Sequence, residues 1–274
     1  MATYWNVFAE NYRNIAPPLK PCAEDVRIIE DTLARWWSSR KLTNLKALLC
    51  GVTPALAELS LPAEAHLTAV EHSQPMIDGI WPGDTAKRSA RCGNWLDLPF
   101  ADNSYHIVLG DGCINCLPYP AGYRALFASL HRVMHRDGVF LMRLFVRPNK
   151  SESSESVFAD LLSAKIPSFH IFKWRLAMAL QNSTSEGIVV HRIYQAWADR
   201  NIKVSELVNQ FGWSENGINA INGYREKETR FTFPTVDEIQ AMFSETFDEM
   251  FVREPAYPLG ERCPIFALTP RLKK

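Results

Sequence analysis

Short apolar runs alternate with segments of helical periodicity from Lys41 to Lys150, and this alternation restricts the fold more than any other feature. Runs of this length are typical of buried strands, and helical crossovers between successive strands make the strands parallel within one sheet. The predicted strands are residues 45–51 (LKALLCG), 67–71 (LTAVE), 89–95, 105–110 (YHIVLG) and 139–146 (VFLMRLFV). The predicted helices between them are residues 54–60, 74–80 and 119–135, and the Arg136-Asp137-Gly138 turn is expected to end the last.

The rest of the chain changes character twice. Residues 151–241 are mostly helical in pattern, with no convincing strand, whereas residues 247–254 and 263–268 return to strand chemistry and are expected to form an antiparallel pair. The sequence therefore predicts an α/β fold with a doubly wound, seven-stranded, mostly parallel sheet, an antiparallel closing hairpin and a helical insertion. The expected divisions are a helical cap (1–40), the core (41–150), the insertion (151–241) and the closing hairpin (242–274).

Charge and cysteine content argue against several classes of protein. Thirty Lys and Arg balance thirty Asp and Glu among the 274 residues, which removes the usual electrostatic reason to expect a nucleic-acid partner. The six cysteines are scattered, several in apolar runs, as expected of buried free thiols in a reducing compartment. The sequence shows neither a signal-peptide pattern nor an apolar run long enough to span a membrane. We therefore expect a cytoplasmic protein with no membrane partner, and a homodimer stays open as an alternative.

The turn after the first predicted strand contains one glycine, Gly51, followed by Thr53. In a doubly wound sheet the ligand lies beyond the carboxyl ends of the strands, beside the first one. A dinucleotide pyrophosphate normally requires the spacing G-x-G-x-x-G, and this turn supplies one glycine of the three. The turn alone fits two interpretations: a loop whose free N–H groups hold a carboxylate, or an ordinary strand-to-helix connection.

Glu71 ends the second predicted strand, twenty residues after Gly51. A carboxylate in that place can accept hydrogen bonds from both ribose hydroxyls of an adenosine. The structural alternative is an exposed carboxylate that caps the helix beginning near Ser73. The spacing from Gly51 favours the adenosine interpretation.

The most specific motif is CGNWLDLPFADNSY, at residues 92–105. Together with Gly110-Asp111-Gly112 and the later run LHRVMHRDGV (130–139), it resembles the class I S-adenosylmethionine-dependent methyltransferases of the UbiE-like, small-molecule type. The likeness covers roughly residues 40–147 and the closing strand pair. The resemblance implies a Rossmann-like methyltransferase fold, S-adenosylmethionine as cofactor, S-adenosylhomocysteine as product, and methyl transfer to a small-molecule acceptor.

The same resemblance assigns roles to residues at the strand ends. Gly51 and Thr53 would line the methionine end of the cofactor, and Glu71 would hold the ribose. Asn94 stands where the family usually has Asp and would contact the adenine edge, because an amide both donates and accepts hydrogen bonds. Trp95 would supply a backbone N–H and an apolar wall.

Further residues complete the predicted site. Asp111 and Gly112 would close its floor near the sulfonium. The N-terminal stretch YWNVFAENY (4–12) is similar to an aromatic helix that many relatives lay over the cofactor, which would bring Tyr12 into contact. An amphipathic helix packed on the sheet explains the same pattern equally well. The complete predicted cofactor set is Gly51, Val52, Thr53, Glu71, His72, Met76, Gly93, Asn94, Trp95, Asp111 and Gly112.

Methyl transfer from a sulfonium needs chiefly alignment of the acceptor and exclusion of water, so the sequence identifies no single catalytic residue. A general base is required only if the acceptor must lose a proton. The candidates that would face the site are Tyr12, Asp111, Asn115 and Arg143. Arg143 could pair with an acidic substrate or reach solvent at a strand edge. Aromatic residues of the insertion would suit an apolar or ring-containing acceptor, although such residues at helical spacing more often form core.

Other interpretations stay open. The pattern of residues 204–224 resembles a helix-turn-helix. These residues contain no Lys or Arg, which DNA recognition would need, so two lid helices explain the pattern better. An NAD(P)-dependent oxidoreductase shares the spacing between Gly51 and Glu71 but is disfavoured by the missing glycines. A protein that binds the cofactor without turnover, in a regulatory or accessory role, is another alternative. No metal site is expected, because Cys113 and Cys116 lack a second pair nearby.

Overall fold

The computed structural model describes residues 3–38, 40, 42, 44–62 and 64–272. Lys41, at the expected boundary between cap and core, lies outside the described residues, as do Met1 and Lys274 at the two ends of the expected divisions. The strands are β1 (Lys46–Cys50), β2 (His66–Glu71), β3 (Arg88–Cys92), β4 (Tyr105–Asp111), β5 (Met134–Arg143), β6 (Ile188–Val189), β7 (Arg230–Phe231), β8 (Phe247–Arg253) and β9 (Ile265–Pro270). The α-helices are α1 (Tyr4–Asn11), α2 (Ala23–Ser38), α3 (Pro54–Ala57), α4 (Gln74–Ile80), α5 (Ala121–Val133), α6 (Ser154–Leu162), α7 (Phe169–Leu180), α8 (Val190–Ala198), α9 (Val204–Phe211), α10 (Glu215–Asn219) and α11 (Val236–Ser244).

Seven of these strands form one sheet in the order β3-β2-β1-β4-β5-β9-β8. The first five are parallel, and β9 pairs antiparallel with both β5 and β8. The apolar run of β1 lies at the centre, with Ala47, Leu48 and Leu49 completely buried because helices cover both faces. The predicted doubly wound sheet with an antiparallel closing hairpin is therefore confirmed.

The connection from α5 to β5 differs from the expected one. The helix ends at Val133 and the strand begins at once at Met134, four residues before Gly138 of the expected turn, Arg136 to Gly138. Met134 pairs with Tyr105 of β4, and the register then shifts before Val139 pairs with Ile107. A Cβ at Gly138 would lie 2.8 Å from the backbone oxygen of His135, so the polar segment is an irregular part of the strand.

The segment from 151 to 241 is mostly helical, but the expectation that it contains no strand is wrong. β6 and β7 pair antiparallel as a separate two-stranded sheet. Strands of two residues are too short to produce a period-2 pattern, which explains why the sequence did not reveal them. None of the described helices is both long and apolar enough to cross a lipid bilayer.

The helical segment has an apolar core of its own. Phe172, Ile193 and Phe233 are completely buried there, and Tyr4 of α1 and Phe145, just after β5, join the same cluster. Two other apolar clusters lie on the two faces of the main sheet. The N-terminal helix and the helical segment therefore pack together over one end of the sheet.

Candidate functional site

A cavity of about 300 Å³ lies at the carboxyl ends of β1 to β5. Its walls also include residues of α1, α4, α7 and β7, so the N-terminal helix and the helical segment both contribute to it. This is the place where a doubly wound parallel sheet binds its ligand, because the chain crosses from one face of the sheet to the other beside β1.

Gly51 and Glu71 form one corner of the cavity. Gly51 has φ +102°, a conformation that favours glycine, and its N–H donates to the backbone oxygen of Val70 at 2.8 Å. A Cβ at Gly51 would point toward Glu71 and lie 3.8 Å from its Oε2 atom. The turn after β1 and the end of β2 therefore leave a space between them that any larger residue would narrow.

Glu71 is 7% exposed, so it is not the solvent-exposed carboxylate of the structural alternative, although it does bond to the backbone at the start of α4. Its Oε1 accepts a hydrogen bond from the backbone N–H of Ser73 at 2.9 Å. Burial raises the pKa of Glu71, while the backbone N–H groups of Ser73 and His72 counteract part of that rise. A buried acceptor at a cavity wall is ready to receive hydrogen bonds from a polar ligand.

The loop after β3 closes the cavity beside Glu71. The indole N–H of Trp95 donates to the backbone oxygen of Val70 at 2.5 Å, which fixes the ring against β2. The Oδ1 atom of Asn94 accepts from the N–H of Leu96 at 3.0 Å, and Asn94 itself lines the cavity. Gly93 does not line it. Its N–H donates to the backbone oxygen of Glu71 at 3.0 Å, and a Cβ there would lie 3.0 Å from Val70.

Asp111, at the end of β4, lies in the cavity floor above a buried ion-pair network. Arg143 Nε donates to Asp111 Oδ1 at 2.7 Å, and Arg143 Nη1 lies 3.6 Å from Asp25 Oδ2. Burial and the charge of Asp25 keep the pKa of Asp111 above its ordinary value, although Arg143 lowers it. Tyr257 donates to Asp25 at 2.9 Å and accepts from Arg143 at 3.2 Å.

Arg143 is completely buried, so the expectation that it reaches solvent at a strand edge is wrong. Its register position opposite Asp111 and the presence of Asp25 explain why the chain can bury it, since a guanidinium can pair with both carboxylates at once. Arg143 does not line the cavity. The acidic partners of Arg143 are therefore part of the protein itself.

Helix α1 covers the cavity with one aromatic face. Thr3 caps the helix, exchanging hydrogen bonds with Asn6. The spacing of four residues places Tyr4, Phe8 and Tyr12 on the same side of the chain, and all three line the cavity. The helix packs closely on α4, because a Cβ at Gly79 would lie only 3.2 Å from Ala9.

Asn115 joins three parts of the cavity wall, although it was predicted as a catalytic candidate. Its amide donates to the backbone oxygens of Phe145 and Thr232 at 2.7 and 2.8 Å, and its Oδ1 accepts from the N–H of Phe145 at 3.0 Å. The side chain is 2% exposed. Its amide therefore holds the end of β5 and the strand β7 beside the loop after β4.

The structure brings together ten of the eleven residues of the predicted cofactor set, and Gly93 is the exception. Of the four catalytic candidates, Tyr12, Asp111 and Asn115 line the cavity and Arg143 does not. Three aromatic residues complete the wall: sequence reasoning named Trp174 only among the aromatic residues of the insertion, and it did not assign Phe145 or Phe231 to the site. Trp174 and Phe231 reach the cavity only through long-range packing, which no local pattern indicates.

The thiols of Cys113 and Cys116, which line the cavity, are held in the protonated form and are poor nucleophiles. Burial raises the pKa of Cys116 to about 12, and the neighbouring Cys50 and burial together raise that of Cys113. Within the described residues, no group of three or more His, Cys, Asp or Glu side chains could hold a metal ion.

Comparisons with solved structures show the fold. A protein from Rhodobacter sphaeroides named for Zn-dependent alcohol dehydrogenases is 12% identical, with a TM-score of 0.59 over 99% of this chain and 100% of that one. The 1,6-didemethyltoxoflavin-N1-methyltransferase of Burkholderia thailandensis is 11% identical, with a TM-score of 0.50 over 92% of this chain and 79% of that one. Loganic acid methyltransferase is 9% identical, with a TM-score of 0.50 over 93% and 75% of the two chains.

The sequence comparison is more specific than the structural one. No curated protein matches the chain significantly in sequence. Residues 48–142 match the family model described as a methyltransferase domain. This stretch runs from β1 to β5 and supplies the turn at Gly51, the carboxylate of Glu71 and the floor at Asp111. The chain therefore carries a methyltransferase domain over residues 48–142, within the fold that these solved structures share.

Proposed function

We propose that the protein transfers the methyl group of S-adenosylmethionine to a small-molecule acceptor held in the cavity, by in-line displacement. The buried carboxylate of Glu71 facing the space above Gly51 carries the proposal. When bound, the cofactor supplies an electrophilic methyl group: the acceptor's nucleophilic atom bonds to the methyl carbon, the methyl–sulfur bond breaks with its electron pair left on sulfur, and any displaced proton passes to water.

The residues of the rim fit this cofactor in the order of the strands. Asn94 and Trp95, after β3, are placed to contact the adenine, and Glu71, at the end of β2, accepts hydrogen bonds from the ribose hydroxyls. The narrow space at Gly51 accommodates the chain that leads to the methionine end. Thr53 lines the same part of the cavity. The remaining members of the predicted set that line the cavity are Val52, His72, Met76, Asp111 and Gly112.

The protein contributes mainly by positioning the acceptor and excluding water. Asp111 is already paired with Arg143, and the amide of Asn115 is engaged with backbone groups. Burial raises the pKa of Tyr12 well above its ordinary value, so its hydroxyl is a poor base. None of these candidates is a prepared base, which supports catalysis through proximity and desolvation.

The same proposal assigns a role to each of the four parts of the chain. The core, 41–150, holds the cofactor, and the cap, 1–40, covers it with α1. The insertion, 151–241, shapes the acceptor side, because Trp174 of α7 and Phe231 of β7 line the cavity. The closing hairpin, 242–274, completes the sheet.

Calorimetry with S-adenosylmethionine, S-adenosylhomocysteine and NAD tests the proposed function. We expect the first two ligands to bind and NAD not to bind. Glu71→Gln should weaken S-adenosylhomocysteine at least tenfold, because a carboxylate that accepts two ribose hydroxyls contributes charge-assisted hydrogen bonds.

Glu64→Gln is the matched control, since Glu64 is an exposed carboxylate just before β2 and does not line the cavity. This variant should bind S-adenosylhomocysteine as the wild-type protein does. Unchanged affinity in Glu71→Gln, or binding of NAD in place of the other two ligands, would refute the assignment of the site.

A further inference from the structure

Six aromatic rings in the wall of the cavity form a continuous belt. Successive ring centroids are 4.8 to 5.8 Å apart, which is the range of favourable aromatic contacts. The belt consists of Phe8, Trp5, Tyr4, Phe231, Trp174 and Phe145.

Phe145, at one end of the belt, and the cofactor residues Glu71 and Gly51 lie at different strand ends. Glu71 and Gly51 end β2 and β1, on one side of β4 in the sheet. Phe145 follows β5, on the other side of β4, and its ring would lie 2.9 Å from a Cβ at Gly112. A molecule beside Phe145 and Trp174 would therefore lie beyond the floor at β4, next to the methionine end of the cofactor rather than its adenosine.

The cavity wall contains two acidic side chains and His72, and Lys20 lies outside the wall with its Nζ 5.6 Å from the ring centre of Tyr12. Among the residues that the structure describes, no Lys or Arg lines the cavity, whereas Glu71 and Asp111 do. The buried guanidinium of Arg143 is paired with Asp111 and Asp25, so the network carries one more carboxylate than cation. A ligand carboxylate or phosphate would lose its hydration in this cavity without gaining a Lys or Arg partner in the cavity wall.

Lys173 is a buried cation outside that network, and it does not line this cavity either. Lys173 lines a separate cavity of about 20 Å³, behind Tyr4 and Phe8, with its Nζ 4.9 Å from the ring centre of Tyr224. Burial lowers the pKa of Lys173 to about 7, so its positive charge is weakened at neutral pH.

We infer that the acceptor is an uncharged, planar, ring-bearing small molecule that packs against the aromatic belt, and that the cavity rejects acceptors with a carboxylate or a phosphate. This inference rests on the proposed function, because it assigns the space next to the bound cofactor to the acceptor. The rings of the belt provide flat apolar surfaces, and the lack of a Lys or Arg partner in the cavity wall discriminates against anions.

The test uses the full-length protein saturated with S-adenosylhomocysteine and two probes of equal ring size, 2-naphthol and 2-naphthoate, followed by calorimetry. We expect 2-naphthol to bind at least tenfold more tightly than 2-naphthoate. Phe231→Leu should weaken 2-naphthol about three- to tenfold and leave S-adenosylhomocysteine affinity within twofold. The control Phe251→Leu, on β8 and outside the cavity, should change neither affinity.

The outcomes separate this inference from the proposed function. If S-adenosylhomocysteine does not bind, the proposed function fails. If it binds but 2-naphthoate binds as tightly as 2-naphthol, or neither probe binds, the inference about the acceptor fails while the proposed function stands. Equal effects of the two phenylalanine variants on 2-naphthol would also overturn it.

Discussion

Lys173 is a buried cation whose replacement should stabilise the protein at neutral pH. It lies in α7 and is 3% exposed, and burial alone lowers its pKa from an ordinary 10.5 to about 7. The folded state therefore binds fewer protons than the unfolded state between pH 7 and pH 10.5. Stability contributed by this group is present above the unfolded pKa and is lost as pH falls toward the folded pKa.

The size of the effect follows from the two pKa values. At 1.36 kcal/mol per pKa unit, burial of this amine costs the folded state about 4 kcal/mol at pH 7, where the folded-state amine is half protonated, and about 1 kcal/mol at pH 9.5. The contact of the Lys173 ammonium with the ring of Tyr224 stabilises the folded state by about 1–2 kcal/mol. Lys173→Met keeps a flexible apolar side chain of similar length. We expect it to raise the free energy of unfolding by about 3 kcal/mol at pH 7 and by little at pH 9.5.

Urea unfolding of both proteins at pH 7 and pH 9.5 measures this difference, and other groups that titrate in this range cancel between them. Lys165→Met is the control, because its side chain is 69% exposed and should change stability by less than about 0.5 kcal/mol at either pH. A stability difference between Lys173→Met and wild type that does not vary with pH, or a variant that is less stable at pH 7, would refute the reasoning.

Two further substitutions test the floor of the cavity by urea unfolding and calorimetry. Arg143→Met leaves Asp111 and Asp25 buried without their cation, so we expect a loss of about 3–5 kcal/mol in the free energy of unfolding; a loss below about 1 kcal/mol would contradict the described network. Gly112→Ala adds a methyl group at φ +63°, 2.9 Å from the ring of Phe145, so we expect it to cost about 1–3 kcal/mol and to weaken S-adenosylhomocysteine binding; unchanged values in both assays would contradict that close contact.

The sequence was sufficient for the sheet because its strands are apolar runs separated by helical crossovers. The antiparallel pairing of β8 and β9 followed from two strands joined by a short loop. The same logic failed at β6 and β7, where two-residue strands leave no periodicity to detect. It also failed at the start of β5, where the polar residues before Gly138 looked like a turn but lie within the strand, between Met134 and Val139, which pair with β4.

Ten of the eleven residues predicted to hold the cofactor line the cavity, because they follow strand ends whose positions are set by the fold. The residues on the acceptor side of the cavity could not be predicted in the same way. Phe231 comes from a strand far along the chain. The side-chain amide of Asn115 donates a hydrogen bond to the backbone oxygen of Thr232, the residue after Phe231. Arg143 looked like a substrate-binding cation because its partners, Asp25 and Asp111, are distant in sequence.

A crystal structure of the protein with S-adenosylhomocysteine tests the central claim most directly. The account predicts that both ribose hydroxyls lie within about 3 Å of the Glu71 carboxylate, with the adenine beside Asn94 and the sulfur on the side of the aromatic belt. A ribose held by other residues, or a ligand bound outside this cavity, would contradict it.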